Sequence, residues 1–406
     1  MGRTRVYLLL VFLSGSIVLL TALGCGGISQ PPSPPTGGGG NGGGGGGGGG
    51  GGNPPSASRF IYGAPGFETG KVQAGSIDST SGAVSAVSGS PFDEGMGQSN
   101  LLEIAADGKG RFIYVLNLAA FGAGQQIGSA GLCGFSISHD NGTLTRVPGS
   151  PIKFSANNFN QIAVDGSGHF LVEPNGTNGS AGASFDVYSV DQSSGALTKT
   201  SSGSNASPVG AFTVASSSGQ FVFNAGNGQV EVFTIDANSG QLATAGAPMT
   251  TGGSAGPLAV SGDGKSLYVA NQKEGTLAAF DVDSSGKLTP VTGSPFKIDN
   301  GAQYVTLTSD GKFLYIASVT QTSTDLVKTV KGYAVNRSAG TITPIAGAVV
   351  NGATTVVLDL SGKFAYISSV GKLTTYSIDA TTGALTQMSQ TTAPSSDNPN
   401  DMVTVM

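Results

Sequence analysis

Residues 304–347 read YVTLTSDGKFLYIASVTQTSTDLVKTVKGYAVNRSAGTITPIAG, and this stretch decides the fold. It contains four short runs with strand character, of which the second, Phe313–Ala317, is rich in β-branched and aromatic residues. Asp310-Gly311 and Ser338–Gly340 separate runs at points where the chain is expected to turn. Short alternating runs with Gly, Asn and Asp between them predict four antiparallel β-strands joined by turns.

The same unit recurs along the chain, and its second strand is the clearest marker. That strand reads RFIYG (59–63), RFIYV (111–115), HFLVE (169–173), QFVFN (220–224), SLYVA (266–270), KFLYI (312–316) and KFAYI (363–367). Repeats of about 45–58 residues with four strands each are typical of β-propellers. We therefore predict an all-β fold, a seven-bladed β-propeller with four antiparallel strands in each blade.

The two ends of the repeat region predict how the ring closes. The first unit begins at its second strand, near Arg59, and the chain ends with a lone first strand, Met402–Val405. Pairing these ends completes the first blade and removes exposed sheet edges. The predicted propeller is thus one domain, residues 57–406, closed by its C-terminal strand.

Composition excludes several function classes. Only 11% of the 406 residues are charged, the formal net charge is −5, and no basic run occurs. Nucleic acid binding requires clustered Lys and Arg, so no nucleic acid partner is expected. Cys25 and Cys133 are the two cysteines, too few for a disulfide framework or a zinc site. We predict no metal and no cofactor, and we expect a monomer.

Residues 1–25 have the pattern of a bacterial export signal. Arg3 and Arg5 precede the apolar run Val6–Leu20, and small residues lead into Cys25. The end of this signal resembles the lipoprotein type, in which Cys25 is acylated and anchors the protein to the membrane. The alternatives are an ordinary cleaved signal and an uncleaved anchor. The predicted location is the bacterial cell envelope, periplasmic or at the surface, as an outer-membrane lipoprotein.

Residues 26–56 have the composition of a tether. They contain the proline-rich segment Pro31–Pro35 and the run Gly37–Gly52, which is glycine apart from Asn41. Such glycine runs behave as random coil, and about 30 residues would span roughly 30 Å on average.

The repeat resembles a known family. Its recurring motifs are D-G-K, then F-L-Y-V-A-N, F-x-I-D, T-G-x-L-T and G-S-P-F, the last at Gly89–Phe92 and Gly293–Phe296 and as GSPI at Gly149–Ile152. This is similar to the lactonase-type seven-bladed propellers, which include 6-phosphogluconolactonase-like and muconate-cyclase-like proteins, and to YVTN-type surface repeats. The resemblance covers residues 57–406. It implies a lactone-hydrolysing site of His, Arg and Glu side chains in a cleft on one face.

Three polar residues stand out as candidates for a site. Glu103 and Gln161 occupy one column of the innermost strand, where the other blades are expected to carry small or apolar residues or Thr. Glu173 ends a second strand beside Pro174; it is either a site residue or a solvated group at the blade rim. Glu103 and Glu173 are the candidates for a catalytic base, and no complete catalytic set is assigned, since His139 and His169 fall on turns at the opposite face.

The connections between blades carry further acids and amides. They lie on the face where propeller ligands usually bind, although Asp and Asn are also good turn formers. The ligand-binding candidates there are Glu94, Gln98, Asn100, Asn158, Asn160, Gln161, Asp299 and Gln303.

Two functional hypotheses follow. The tether, and the absence of a cationic catalytic set, favour an extracytoplasmic binding module for a protein or polysaccharide partner. The alternative, which rests on the family resemblance, is a lactonase-like hydrolase of a sugar lactone. Whether the protein is an enzyme is left open by the sequence.

Overall fold

The computed structural model describes residues 7–13, 16–22, 59–65, 70–97, 99–122, 125–127, 129–154, 161–175, 184–200, 210, 212–216, 218–337, 339–392 and 399–405. These fall into two compact units, Met1–Asn53 and Pro54–Met406. In the first unit, strands Tyr7–Leu13 and Ser16–Ala22 pair as an antiparallel hairpin. Among the described residues, no helix is long and apolar enough to cross a membrane. The predicted lipidation site, Cys25, and the predicted tether lie outside the described residues.

The second unit consists of seven antiparallel sheets of four main strands each, as the repeat predicts. Numbered in chain order and given from the innermost strand outward, the blades are: blade 1, Pro399–Val405, Arg59–Pro65, Lys71–Ile77, Val84–Ala86; blade 2, Ser99–Ala106, Phe112–Gly122, Gly131–Ile137, Leu144–Arg146; blade 3, Ala163–Val164, Phe170–Asn175, Ser184–Val190, Leu197–Lys199; blade 4, Phe212–Ala215, Phe221–Gly226, Gln229–Ile235, Leu242–Thr244; blade 5, Ala255–Val260, Ser266–Asn271, Thr276–Val282, Leu288–Pro290; blade 6, Ala302–Leu307, Phe313–Gln321, Leu326–Asn336, Thr341–Asn351; blade 7, Ala353–Leu358, Phe364–Ser369, Lys372–Ile378, Leu385–Thr392.

Ring closure by the C-terminal strand is confirmed. Pro399–Val405 pairs antiparallel with Arg59–Pro65, in a register that places Phe60 opposite Val405 and Tyr62 opposite Val403. The innermost strands contact one another in the order of blades 1 to 7 and back to blade 1, so the ring has no open end.

Short accessory strands accompany four blades. Phe92–Asp93, Ile152–Lys153, Met249–Thr250 and Phe296–Lys297 pair with the third strands of blades 1, 2, 4 and 5. In blade 2, Gln125–Ile127 pairs with the end of the second strand. The second strand of blade 2 extends to Gly122, and in blade 6 the second and third strands stay paired as far as Gln321 and Leu326, so backbone N–H and C=O groups are satisfied there.

Neighbouring blades are joined by one repeated contact. At six of the seven junctions, the phenylalanine near the start of the second strand packs on the glycine of the outer turn of the next blade. For example, Phe60 lies so close to Gly142 that a Cβ at this position would overlap the ring, and the backbone φ of the glycine is +74°. Tyr62, two residues later, donates a hydrogen bond of 2.9 Å to the Gly142 carbonyl. The other pairs of this kind are Phe112–Gly195, Phe170–Gly240, Phe221–Gly286, Phe313–Gly383 and Phe364–Gly82.

The junction of blades 5 and 6 departs from this pattern. Ser266 stands where the other blades have phenylalanine. Arg337 of blade 6 instead reaches blade 5, with its Nη2 3.0 Å from Asp281 Oδ1 and its Nη1 3.7 Å from Asp263 Oδ2. An ion-pair network thus replaces an aromatic contact at one of the seven junctions.

Candidate functional site

One level of the innermost strands gathers polar side chains. The register places Glu103 opposite Leu116, Tyr304 opposite Ala317 and Asp401 opposite Ala64, which are equivalent positions in their blades. We call this level the inner-rim ring; its seven residues, from blade 1 to blade 7, are Asp401, Glu103, Gln161, Phe212, Pro257, Tyr304 and Thr355. Five of these seven side chains are polar or ionisable, which makes the inner-rim ring the candidate functional site.

The strands are irregular at this level. Register shifts occur between Leu101 and Glu103, between Ala302 and Tyr304, and between Ala353 and Thr355. Blades 1 and 5 have shifts at the same end of the sheet. A β-bulge re-aims a side chain and is common beside active sites. The bulges therefore explain why polar side chains at the ends of these strands can converge across blades.

Two carboxyl groups form the centre of the ring. Asp401 accepts hydrogen bonds from the backbone N–H groups of Ile104, at 3.0 Å, and Met402, at 2.9 Å. Glu103 precedes Ile104 and hydrogen-bonds the side chain of Gln161 in blade 3. The C-terminal strand is thereby connected to blade 2 at the point where the two acids interact.

The two acids resist being ionised together. Glu103 is partly exposed as a residue. Burial, and next the charge of Asp401, raise the pKa of its carboxyl well above the ordinary 4.5, against the lowering effect of Gln161. Burial raises the pKa of Asp401 from 3.8 to about 7, although its two N–H donors act in the opposite direction. Interacting carboxyls titrate as a pair, so burial and the mutual repulsion of the two charges favour states in which the pair holds a proton.

Tyr304 of blade 6 interacts electrostatically with this pair. Its phenol hydrogen-bonds the side chain of Thr355 in the next blade. Burial, followed by the charges of Asp401 and Glu103, raises the pKa of Tyr304 well above 10.0. The phenol therefore keeps its proton and is a hydrogen-bond donor facing an acid–base pair.

Two residues of the ring, Glu103 and Gln161, are predicted from the sequence, whereas Tyr304 and Asp401 are not. Glu103 and Gln161 do share a column, but the expectation of small or apolar residues or Thr elsewhere is wrong, because Tyr304 and Asp401 belong to it as well. Tyr304 and Asp401 lie outside the predicted inner strands, which begin at Val305 and Met402, because the bulges break the alternation just before those residues. The ring residue stands four positions before the residue that begins the following turn, as Tyr304 does before Thr308, and this spacing in the sequence indicates the ring.

Glu173 is not a solvated rim group. It is fully buried, since the second strand of blade 3 continues to Asn175 and pairs Glu173 directly with Asp186. Lys199 Nζ lies 2.7 Å from Asp186 Oδ2 and supplies a positive charge beside this pair. Glu173 and Lys199 thus belong to the packing of blade 3 and not to the inner-rim ring.

The connection residues are placed as follows. Glu94 is fully buried and accepts a hydrogen bond of 2.6 Å from Asn117 Nδ2, and its carbonyl accepts one from Cys133 Sγ. Asp299 forms a half-exposed ion pair with Lys331 at 2.7 Å, and Gln303 donates to the Gly301 carbonyl. The Asn100 backbone pairs with Leu118, whereas Gln98, Asn158 and Asn160 lie outside the residues whose side chains the structure describes.

The two histidines lie on turns, and Arg111 and Arg337 make their contacts outside the inner-rim ring. His139 and His169 lie on turns. Arg111 bonds Asp107 of its own turn and Gln192 of blade 3, and Arg337 joins blades 5 and 6. A shallow cavity of about 710 Å³ lies on the outer edge of blade 4, and its lining, Thr234–Asp236 and Ser239–Thr244 with Gly240 excepted, shares no residue with the inner-rim ring.

Comparison with known proteins agrees with the architecture. Residues 207–297, which include blades 4 and 5, match the sequence model of the family described as "Lactonase, 7-bladed beta-propeller". A search of curated proteins found no significant match.

Solved structures extend the likeness to the whole ring. The periplasmic gluconolactonase of Pseudomonas aeruginosa is 18% identical, with a TM-score of 0.62 over 86% of this chain and 99% of that one. A candidate 6-phosphogluconolactonase of Bacteroides fragilis is 17% identical, with a TM-score of 0.65 over 86% of this chain and 98% of that one. Another, from Bacteroides uniformis, is 15% identical, with a TM-score of 0.64 over 86% and 100%. The likeness to the lactonase-type seven-bladed β-propeller family is thereby confirmed, by the family's sequence model in blades 4 and 5 and by fold around the ring.

Proposed function

We propose that this protein hydrolyses a sugar lactone at the inner-rim ring, with Glu103 and Asp401 as the acid–base pair. The observation that carries the proposal is the meeting of two carboxyl residues across the closed ring, where Asp401 accepts the backbone N–H of Ile104, the residue after Glu103, at 3.0 Å. Groups that titrate near the working pH are the effective proton donors and acceptors in catalysis. The lactonase-type fold supports a lactone as the substrate.

The reaction needs two proton movements, and the pair supplies both. The ionised carboxylate removes a proton from water as its oxygen attacks the lactone carbonyl carbon. The protonated carboxyl gives its proton to the ring oxygen as the carbon–oxygen bond breaks. The pair ends with one proton, as it began, and the product is a hydroxy acid. We assign to Tyr304, whose raised pKa keeps the phenol protonated, the donation of a hydrogen bond to the carbonyl oxygen, where negative charge develops.

The test is lactone hydrolysis by the full-length chain, purified in detergent because of its apolar N-terminus. We expect turnover of D-glucono-1,5-lactone or its 6-phosphate above the spontaneous rate, and a loss of at least about 100-fold in Glu103→Gln and Asp401→Asn. Asp379→Asn, which alters an exposed outer turn of blade 7, is the control and should keep full activity. Rates at background from folded protein would refute the proposal and return attention to the binding-module hypothesis.

We also propose that the chain is exported and acylated at Cys25. The order of charged, apolar and small residues supports this, and one structural relative is described as periplasmic. Labelled palmitate should be incorporated into the membrane fraction of the wild type and not of Cys25→Ala. Equal labelling of both would contradict lipidation at this residue.

A further inference from the structure

The positions of the basic side chains in the propeller affect which substrates the inner-rim ring can bind. The segments at 66–69, 155–160, 176–183, 201–209 and 393–398, whose structure is not described, contain no Lys, Arg or His. The same holds for the shorter gaps of the propeller. Every basic residue of the propeller therefore lies on a strand or turn whose place in the fold is known. The only ionisable side chains of the undescribed segments are acids, Glu68 and Asp397.

No cation is found among the groups that act on the inner-rim acids. Glu103 is influenced by burial, Asp401 and Gln161, and Asp401 by burial and two backbone N–H groups. Tyr304 is influenced by the two acids and Thr355. Within the described residues, the charge around the carboxyl pair is thus negative only.

Two basic side chains near the same face, Lys273 and Lys331, interact with acids outside the inner-rim ring. Gln272 donates to the Ala302 carbonyl at 2.8 Å, which brings the turn of blade 5 beside the inner strand of blade 6. Lys273 follows it, next to Glu274, whose pKa is lowered against the effect of burial mainly by hydrogen bonds from Ser254 and to a lesser extent by the charge of Lys273. Lys331 is paired with Asp299 at 2.7 Å.

We propose that the inner-rim ring selects lactones without negative charge, so that an unphosphorylated sugar lactone is the substrate. This inference rests on the proposed hydrolase function. A phosphate monoester carries a charge of about −1.5 to −2 at pH 7, and protein sites that take it use Arg, Lys or helix N-termini. The ring offers two carboxyls, a phenol and two amide or hydroxyl groups, which suit the hydroxyls of a neutral sugar.

The negative charge of the carboxyl pair also affects the release of the product. Opening a neutral lactone converts it into a hydroxy acid that ionises at neutral pH. The product anion then lies beside a pair that already carries negative charge, and like charges in a partly buried site repel. The ring therefore admits a neutral substrate and expels an anionic product.

The experiment compares kcat/KM for D-glucono-1,5-lactone and its 6-phosphate at pH 7, using the full-length chain. We expect the neutral lactone to be preferred by at least about tenfold. Lys273→Gln should leave this ratio unchanged. Phe212→Lys, which places an ammonium in the ring, should shift the ratio toward the phosphate by about tenfold or more. If that variant does not fold, the wild-type ratio and Lys273→Gln still decide.

The outcomes separate the two proposals. Equal or faster turnover of the phosphate overturns the charge selection and leaves the hydrolase intact. A ratio that changes in Lys273→Gln also overturns it, because that result would mean a rim lysine binds the phosphate. Background rates on both lactones refute the hydrolase itself, and the charge selection fails with it.

Discussion

Replacing Glu103 by Gln should change how the stability of the propeller depends on pH. Gln has the same length and keeps a hydrogen-bonding group toward Gln161, but it cannot ionise. In the wild type, both carboxyls have pKa values raised in the folded state. Such groups contribute stability that is fully present below their unfolded pKa, near 4, and is lost as the pH rises through the folded value.

The size of the effect follows from Asp401. Its pKa rises from 3.8 in the unfolded chain to about 7 in the fold. Each pH unit between these values costs about 1.4 kcal/mol, so ionising this one group costs on the order of 4 kcal/mol. Glu103 adds to the cost in the wild type, because burial and the charge of Asp401 raise its pKa, and Gln removes this titration. We therefore expect the stability of Glu103→Gln relative to the wild type to rise between pH 5 and pH 8.

The assay is the melting temperature of both proteins at pH 5, 6, 7 and 8. The melting temperature of Glu103→Gln relative to the wild type should be higher at pH 8 than at pH 5. All other titrating groups are common to the two proteins, so their contributions cancel to first order. A difference between Glu103→Gln and wild type that stays constant from pH 5 to pH 8 would refute the buried-pair reasoning.

Three further changes test the ring itself. Gly142→Ala should be less stable than Gly149→Ala by about 1–3 kcal/mol, because both glycines have positive φ but only Gly142 is packed against Phe60; equal melting temperatures would contradict the packing argument. Deleting residues 401–406 should abolish cooperative unfolding, since it removes most of the strand that closes blade 1; an unchanged melting temperature would contradict closure. Arg337→Gln should cost about 1 kcal/mol or less, and the loss should shrink in 0.5 M NaCl; a loss insensitive to salt would mean that the residue acts by packing.

The fold could be predicted because each blade repeats the same local signals. Turn residues, alternating strands and the aromatic start of the second strand recur along the ring, so an error in one unit is corrected by the others. The displaced ends of the repeat also predicted ring closure, since Met402–Val405 had no other unit to join. These signals are local in sequence and need no knowledge of distant contacts.

The site was harder to predict because it depends on departures from the repeat. Bulges beside Glu103 and Tyr304 shift the register, so simple alternation assigns the wrong side chains to the inner rim. Asp401 meets Glu103 only after the ring has closed, across a large part of the chain. The burial of Glu173 likewise depends on its pairing with Asp186, which no local pattern in the sequence indicates.

The closing strand makes the proposed activity a sensor of whether the ring is intact. Asp401 lies on the strand that pairs with Arg59–Pro65, and its carboxyl accepts the Ile104 N–H of blade 2. Local opening can release a single strand at a lower free energy than global unfolding. If Pro399–Val405 detaches, the acid–base pair loses one member even while the other six blades keep their sheets. Catalysis would therefore be lost on heating before most of the β-structure melts. The difference between the temperature of activity loss and the melting temperature would measure how strongly the closing strand is held in the ring.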